Sequence, residues 1–197
     1  MLAESGEVWL VRHGATEWSE NGRHTGRSDI PLVDEGFRQA ERLRGRLAAQ
    51  RFQLVLSSPL QRAVETARMA GFETGLELDP DLAEWDYGEY DGLTTAQIRE
   101  RNPGWVLWET GGPGGETPEQ VGARADRVVA RLRQAAGNVL VFSHGHFLRV
   151  LAIRWLGLAP SAGRHLYLGT AGMGVLGDER ETPVLGAWNL SAEGGPA

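Results

Sequence analysis

The chain has 197 residues, 41% hydrophobic and 23% charged, a balance that suits a globular core and a length that suits one domain over 1–197. Its net charge of −6 argues against a nucleic-acid partner, whose affinity rests on basic surface. Zero Cys excludes a disulfide framework, a Cys-ligated zinc site and thiol catalysis. No apolar run reaches the ~18 residues of a membrane span. The opening residues lack the basic start and apolar stretch of an export signal, so a cytoplasmic location without a membrane partner is expected. All 20 basic residues are Arg, so a bound anion would be held by Arg, His or backbone.

Residues 7–12 predict a strand in which Val8, Trp9, Leu10 and Val11 leave no polar face, as in a parallel sheet covered on both sides. Asp34 is expected to cap a helix over 35–50, with Phe37, Ala40, Leu43 and Leu47 at helical spacing. A short apolar run at 54–56 predicts a second strand. Ser58 then reads as a cap and Pro59 as the first position of a helix ending near Gly71. A helix from Thr94 carries Arg99 and Arg101 on a solvated face, and residues 111–115 are a glycine-rich loop. Thr117-Pro118-Glu119-Gln120 is a capping-box start for a helix running to 137. Residues 139–142 predict a third buried strand, followed by a helix through Leu148, Leu151, Ile153 and Leu156. Later strands are expected at 166–169, 173–177 and 183–188, and a loose tail at 190–197. The alternation implies an α/β three-layer sandwich: a mostly parallel central sheet with helices on both faces.

Ligands in such folds bind beyond the carboxyl ends of the strands. The first strand ends in Arg12-His13-Gly14-Ala15-Thr16 and the third in Ser143-His144-Gly145-His146. Both place His and then Gly where a strand breaks into a loop, and Gly lets backbone approach a ligand closely. The second strand leads through Ser57-Ser58-Pro59 to a helix with Arg62 in its first turn. Its N-terminal N–H groups and the Arg62 fork would face an anion. A single His after a strand is more often structural; three such ends together favour an oxyanion site, with phosphate first. His144 and His146 beside carboxylates could hold a divalent ion, but the chain has no metal-ligand array, so no metal and no cofactor are expected. Residues 172–177 have dinucleotide-loop spacing without the helix that mechanism needs. Asp79, Asp81, Glu84, Asp86, Glu89 and Asp91 crowd one segment, and residue types alone do not choose among them.

Arg12-His13-Gly14-Ala15-Thr16-Glu17-Trp18 resembles the opening motif of the histidine phosphatase superfamily, which holds the cofactor-dependent phosphoglycerate mutases and many phosphatases. Residues 22–32, Ser57-Ser58-Pro59-Leu60-Gln61-Arg62, Glu84-Trp85-Asp86-Tyr87-Gly88, Gly115-Glu116-Thr117 and Ser143-His144-Gly145-His146-Phe147-Leu148-Arg149 continue the resemblance in order. The variants at 85–88 and 143–146 are most similar to bacterial acid phosphatases and to the fungal sedoheptulose-bisphosphatase branch. The resemblance implies a phosphoglycerate mutase-like fold and His13 as a nucleophile that becomes a phosphohistidine. It implies that Arg12, Arg62 and His144 hold the phosphoryl oxygens. Glu84, singled out by the motif that follows it, would protonate the leaving alkoxide and then activate water.

By the same resemblance Thr16, Ser19, Arg23, His24, Thr25, Gly26, Tyr87, Gly145 and His146 would bind substrate. Ser19 stands where mutases usually carry Asn, which removes one amide contact. His24, at a position aromatic in relatives, would stack on or hydrogen-bond the substrate. Trp18, Trp85, Tyr87 and Tyr90 are candidate pocket walls, and His165 is read as structural. The implied substrate is a small phosphate ester, a sugar phosphate first, with phosphoglycerate mutase as the alternative. Mutases carry a longer segment between Glu84 and His144, with Lys and Arg that clamp the substrate. Here that segment is shorter and has no Lys, so a phosphohistidine would lose its phosphoryl group to water. A homodimer is left open.

Overall fold

The computed structural model describes residues 6–193; the expectations for residues 1–5 and 194–197 lie outside them. The elements are β1 (Val8–Arg12), α1 (Glu17–Glu20), α2 (Asp34–Ala48), β2 (Leu54–Ser57), α3 (Gln61–Met69), β3 (Leu76–Leu78), α4 (Thr95–Arg101), α5 (Leu107–Thr110), α6 (Pro118–Arg133), β4 (Val139–Ser143), α7 (Gly145–Trp155), β5 (Met173–Glu179) and β6 (Thr182–Leu190). They build one six-stranded sheet in the order β3-β2-β4-β1-β5-β6. The first four strands of that order are parallel; β5 runs antiparallel to β1, and β6 to β5.

The central strands read as continuous apolar runs because alternate side chains enter two different cores. Val8, Leu10, Val139 and Val141 pack on one face with Val121, Val128, Leu148 and Leu151 of α6 and α7. Trp9, Val11, Leu140 and Phe142 pack on the other with Leu43, Leu47 and Ala67 of α2 and α3. Each fully buried large aliphatic side chain is worth roughly 1.5–3 kcal/mol over its exposed state, so both faces hold the sheet. Val8 pairs with Val139 and Arg12 with Ser143. The ends of β1 and β4 are therefore level, which sets His13 and His144 side by side.

Several boundaries differ from expectation for identifiable reasons. Asp34 is the first helical residue of α2 and not its cap; Val33 precedes the helix without a side-chain cap, and its N–H donates to Ala15 O at 3.0 Å. Helix α3 starts at Gln61, so Pro59 is not its first position. Ser58 Oγ accepts from Leu60 N, and the first helical N–H, that of Gln61, is taken by the Asp29 carboxylate at 2.8 Å. The first N–H of that helix is thus met by protein rather than left to an anion. Helix α6 has its capping box at Thr117 and Gln120 but ends at Arg133, short of 137. Residues 166–169 form no strand: the Leu168 carbonyl goes to Arg12, the Tyr167 carbonyl to Trp188 and the Gly169 N–H to Asn189. Residues 172–177 enter β5, with no helix behind them, and β6 extends to Leu190, so residue 190 belongs to the sheet. His165 ends a short 3-10 helix over Pro160–His165 and is exposed there.

One close approach positions the loop after β1. A Cβ on Gly36 would lie 2.1 Å from Ala15 O, and one on Gly14 would lie 2.4 Å from Gly36 O. Backbone therefore packs directly on backbone where α2 meets the segment that leaves His13.

Candidate active site

His13 continues β1, its N–H donating to Ser143 O and its carbonyl accepting from Ala171 N, both at 3.0 Å. Its Nδ1 lies 2.8 Å from Gly14 O. A carbonyl only accepts, so Nδ1 carries the proton and Nε2 keeps its lone pair. The His144 ring stands 5.2 Å away, centroid to centroid. Arg62 Nε donates to His144 Nδ1 at 3.1 Å, so that ring carries its proton on Nε2 and donates it to Ser58 Oγ at 2.7 Å. Arg62 is fully buried. Its Nη1 donates to Ser28 O and its Nη2 to Thr25 O and Gly26 O. Four of the five N–H bonds of a guanidinium are thus used within the protein. Asp91 holds that carbonyl-bearing loop by accepting from Gly26 N, Ser28 N and Ser28 Oγ.

Glu84 is buried at 5% exposure and closes the start of α7. Oε1 accepts from Trp85 N and Phe147 N, both at 2.8 Å, and Oε2 from His146 N at 3.1 Å. A carboxylate at a helix N-terminus is stabilised by the unpaired N–H groups and the dipole. Oε2, with one partner, retains a lone pair that can take a proton. Arg12 donates through Nη1 to Leu168 O at 2.7 Å. Its Nε is buried and, among the described residues, has no partner. A Cβ on Gly145 would come within 3.2 Å of that Nε, so glycine there keeps the guanidinium approachable.

Arg12, His13 and Glu84 share a cavity of about 190 Å³ with Ser19, Arg23, His24 and Thr25, and its wall is completed by Tyr87, Gly145 and His146. Burial pushes His13 well below its usual pKa, helped by the charges of Arg62 and Arg12 and opposed by the Gly14 bond. Burial does the same to His144, with Arg62 next, and to His146, with Arg149 next. His24 falls to about 4 through burial, against the pull of Asp91. All four imidazoles are neutral at pH 7. Tyr87, bonded to His146 Nδ1 at 2.6 Å, is pushed well above its usual value by burial and then Glu84. Arg12, Arg23, Arg62 and Arg149 pair with no carboxylate among the described residues. Three guanidinium groups on the wall and Arg62 behind it, against the single lining carboxylate of Glu84, make this a site for a multiply charged anion. Among the described residues no three His, Asp or Glu side chains gather as metal ligands.

Residues 8–191 match the histidine phosphatase superfamily (branch 1). The chain belongs to that family. It is 44% identical to an acid phosphatase of Mycobacterium tuberculosis over 90% of each chain. It is 33% identical to the sedoheptulose 1,7-bisphosphatase of Saccharomyces cerevisiae over 76% of this chain and 67% of the yeast protein. A solved open reading frame of M. tuberculosis superposes with a TM-score of 0.91 at 39% identity, covering 96% of this chain and all of that one. As a histidine phosphatase the chain is a phosphoric monoester hydrolase, and no helix among its described residues is long and apolar enough to cross a membrane.

In this histidine phosphatase Arg12, His13 and Glu84 lie on the cavity wall, whereas Arg62 and His144 sit behind it. Thr16 and Gly26, expected to line the pocket, do not. The Thr16 hydroxyl caps α1 in a reciprocal pair with Ser19, and a Cβ on Gly26 would lie 2.9 Å from Trp85 O, while its carbonyl binds Arg62. Of the four aromatic candidates only Tyr87 reaches the cavity. Trp85 is fully buried and donates to Glu116 O, Tyr90 packs edge-on to Trp105, and Trp18 covers Gly92. Gly22, Arg149, Tyr167 and Leu168 line it without having been singled out. Arg149 had a legible signal: it follows Gly145 by four residues on one helix, which puts both on the same face. Its guanidinium lies 4.5 Å over the Trp108 ring, and burial lowers its pKa to about 10.

Proposed function

We propose that this chain hydrolyses small sugar phosphates through a phosphohistidine on His13 Nε2, without a metal, as one domain in the cytoplasm. The observation that carries this reading is the His13 ring: buried, neutral, with Nδ1–H on Gly14 O and Nε2 free beside Arg12 and Glu84. A neutral imidazole fixed in one tautomer is an activated nucleophile. Nε2 attacks phosphorus as the ester P–O bond breaks, and the leaving alkoxide takes the proton of Glu84. Water then attacks the phosphoryl group, gives a proton back to Glu84, and the P–N bond breaks to release phosphate.

Arg12, whose buried Nε is without a partner among the described residues, is assigned to the phosphoryl oxygens. Arg62 adds its charge and one remaining N–H, and His144 orients Ser58 and Arg62 from below. The substrate class is supported by the sedoheptulose-bisphosphatase relative and by the polar wall of Arg23, Thr25 and His146. Mutase chemistry is disfavoured because Arg99 and Arg101, the nearby candidates for a substrate clamp, are exposed on α4 and do not line the cavity.

A direct test is acid-labile phosphoryl transfer from a radiolabelled sugar phosphate to the protein. Label on His13, lost with turnover in His13→Ala and unaffected by exhaustive chelation, is expected. Label on another residue, or more phosphoglycerate isomerised than phosphate released, would overturn the reading.

A further inference from the structure

Arg124 lies on α6, buried at 6% exposure and off the cavity wall. Its guanidinium makes a two-point ion pair with Glu116, Nε to Oε1 at 2.8 Å and Nη2 to Oε2 at 2.7 Å. Nη1 donates to Asp81 O at 2.8 Å and to Ala83 O at 2.6 Å, and Nη2 reaches Glu84 O at 3.3 Å. Its guanidinium carbon also stands 4.5 Å over the Phe147 ring, and the Phe147 N–H is a donor to Glu84 Oε1. One side chain therefore holds the backbone that carries Glu84 and the helix turn that grips the Glu84 carboxylate.

Glu116 fastens the far side of the same segment. Its Oε2 accepts from Asp86 N, its N–H donates to Asp86 O, and its carbonyl accepts from Trp85 Nε1. Residues 81–86 are thus tied down on both sides of Glu84. A buried ion pair adds little net stability compared with apolar packing, so stability does not account for this arrangement. Geometry does: the planar fork serves three carbonyls and a carboxylate at once, which an ammonium could not. A displacement of about 1 Å at a reacting group can cost on the order of 100-fold in rate.

We propose that Arg124, braced by Glu116, is a positioning residue for the Glu84 carboxylate; this rests on the reading of Glu84 as proton donor to the leaving group. Neither residue touches substrate. The variants Arg124→Lys, Glu116→Gln and Glu84→Gln are compared by kcat/KM on p-nitrophenyl phosphate, whose leaving group departs unprotonated, and on glycerol 2-phosphate, whose alkoxide needs a proton. Circular dichroism checks that each is folded.

Arg124→Lys and Glu116→Gln are expected to lose at least about tenfold more on the alkyl ester than on the aryl ester. Glu84→Gln should show the same asymmetry, larger, with no further asymmetry when combined with Arg124→Lys. If Arg124→Lys does not fold, Glu116→Gln, which keeps the shape and leaves the carbonyl bonds of Arg124, gives the same comparison. Equal losses on both esters in folded Arg124→Lys and Glu116→Gln, with the asymmetry intact in Glu84→Gln, would overturn the positioning role alone. Equal losses in Glu84→Gln would remove the acid role and the proposal with it.

Discussion

His24 gives the fold a measurable weakness toward acid. Its ring is packed 4.9 Å from Tyr87 and stacked 5.9 Å from His146, and burial lowers its pKa from 6.5 to about 4. Below pH 6.5 the unfolded chain takes up a proton at this position that the folded chain refuses until about pH 4. Stability therefore falls as pH drops through that window, by about 2 kcal/mol at pH 5 and about 3 kcal/mol once both states are protonated. His13, His144 and His146 act in the same direction.

His24→Phe keeps an aromatic ring and removes the titration. Urea unfolding at neutral pH and at pH 5 should show the loss between the two smaller by about 2 kcal/mol in the variant. The hydrogen bond between His24 Nε2 and Thr95 Oγ1 is lost at both pH values and cancels in the difference. The same pH dependence in both proteins would refute the attribution.

Gly36→Ala should destabilise by about 2–3 kcal/mol, because the new methyl meets backbone at 2.1 Å. Gly45→Ala, in open space on the same helix, should stabilise by about 0.5–1 kcal/mol, and thermal melts read both. Arg62→Lys should cost about 3 kcal/mol or more, since buried carbonyls at 25, 26 and 28 lose donors; a smaller loss in denaturant titration would mean that water replaces the fork. Arg149→Met should raise KM for phosphate esters several-fold with the fold intact, as a guanidinium on the cavity wall is replaced by a side chain of similar length. Because His13 is held well below its usual pKa, kcat/KM on an aryl phosphate should show no protonation limb near pH 6.5.

The strand ends were legible because periodicity fails there in a specific way: apolar runs with no polar face break into His-Gly at 13–14 and 144–145, and register alone then brings the two rings together. Helix α6 was readable from its cap, Thr117 and Gln120. Its far end was not, since Gly137 carries the turn itself at φ 94. Strand β3 has no signature in the sequence, because three residues of mixed exposure carry no pattern. Ser58-Pro59 misled because Ser58 is claimed by His144 and Leu60, and the cap of α3 comes from Asp29, distant in sequence. Thr16 and Gly26 have the right address in the motif, but the Thr16 hydroxyl caps its own helix and the Gly26 N–H and carbonyl are taken by Asp91 and Arg62, distant in sequence.

Glu84 is singled out only by resemblance, since the two amides of α7 that close on its oxygens have no trace in its own neighbourhood. That shared amide has a spectroscopic consequence. Whatever changes the charge on Oε2 changes what the backbone nitrogen of His146 feels at 3.1 Å, so a nitrogen-15 label at that position is a built-in indicator of the carboxylate's ionisation, readable without touching the carboxylate itself.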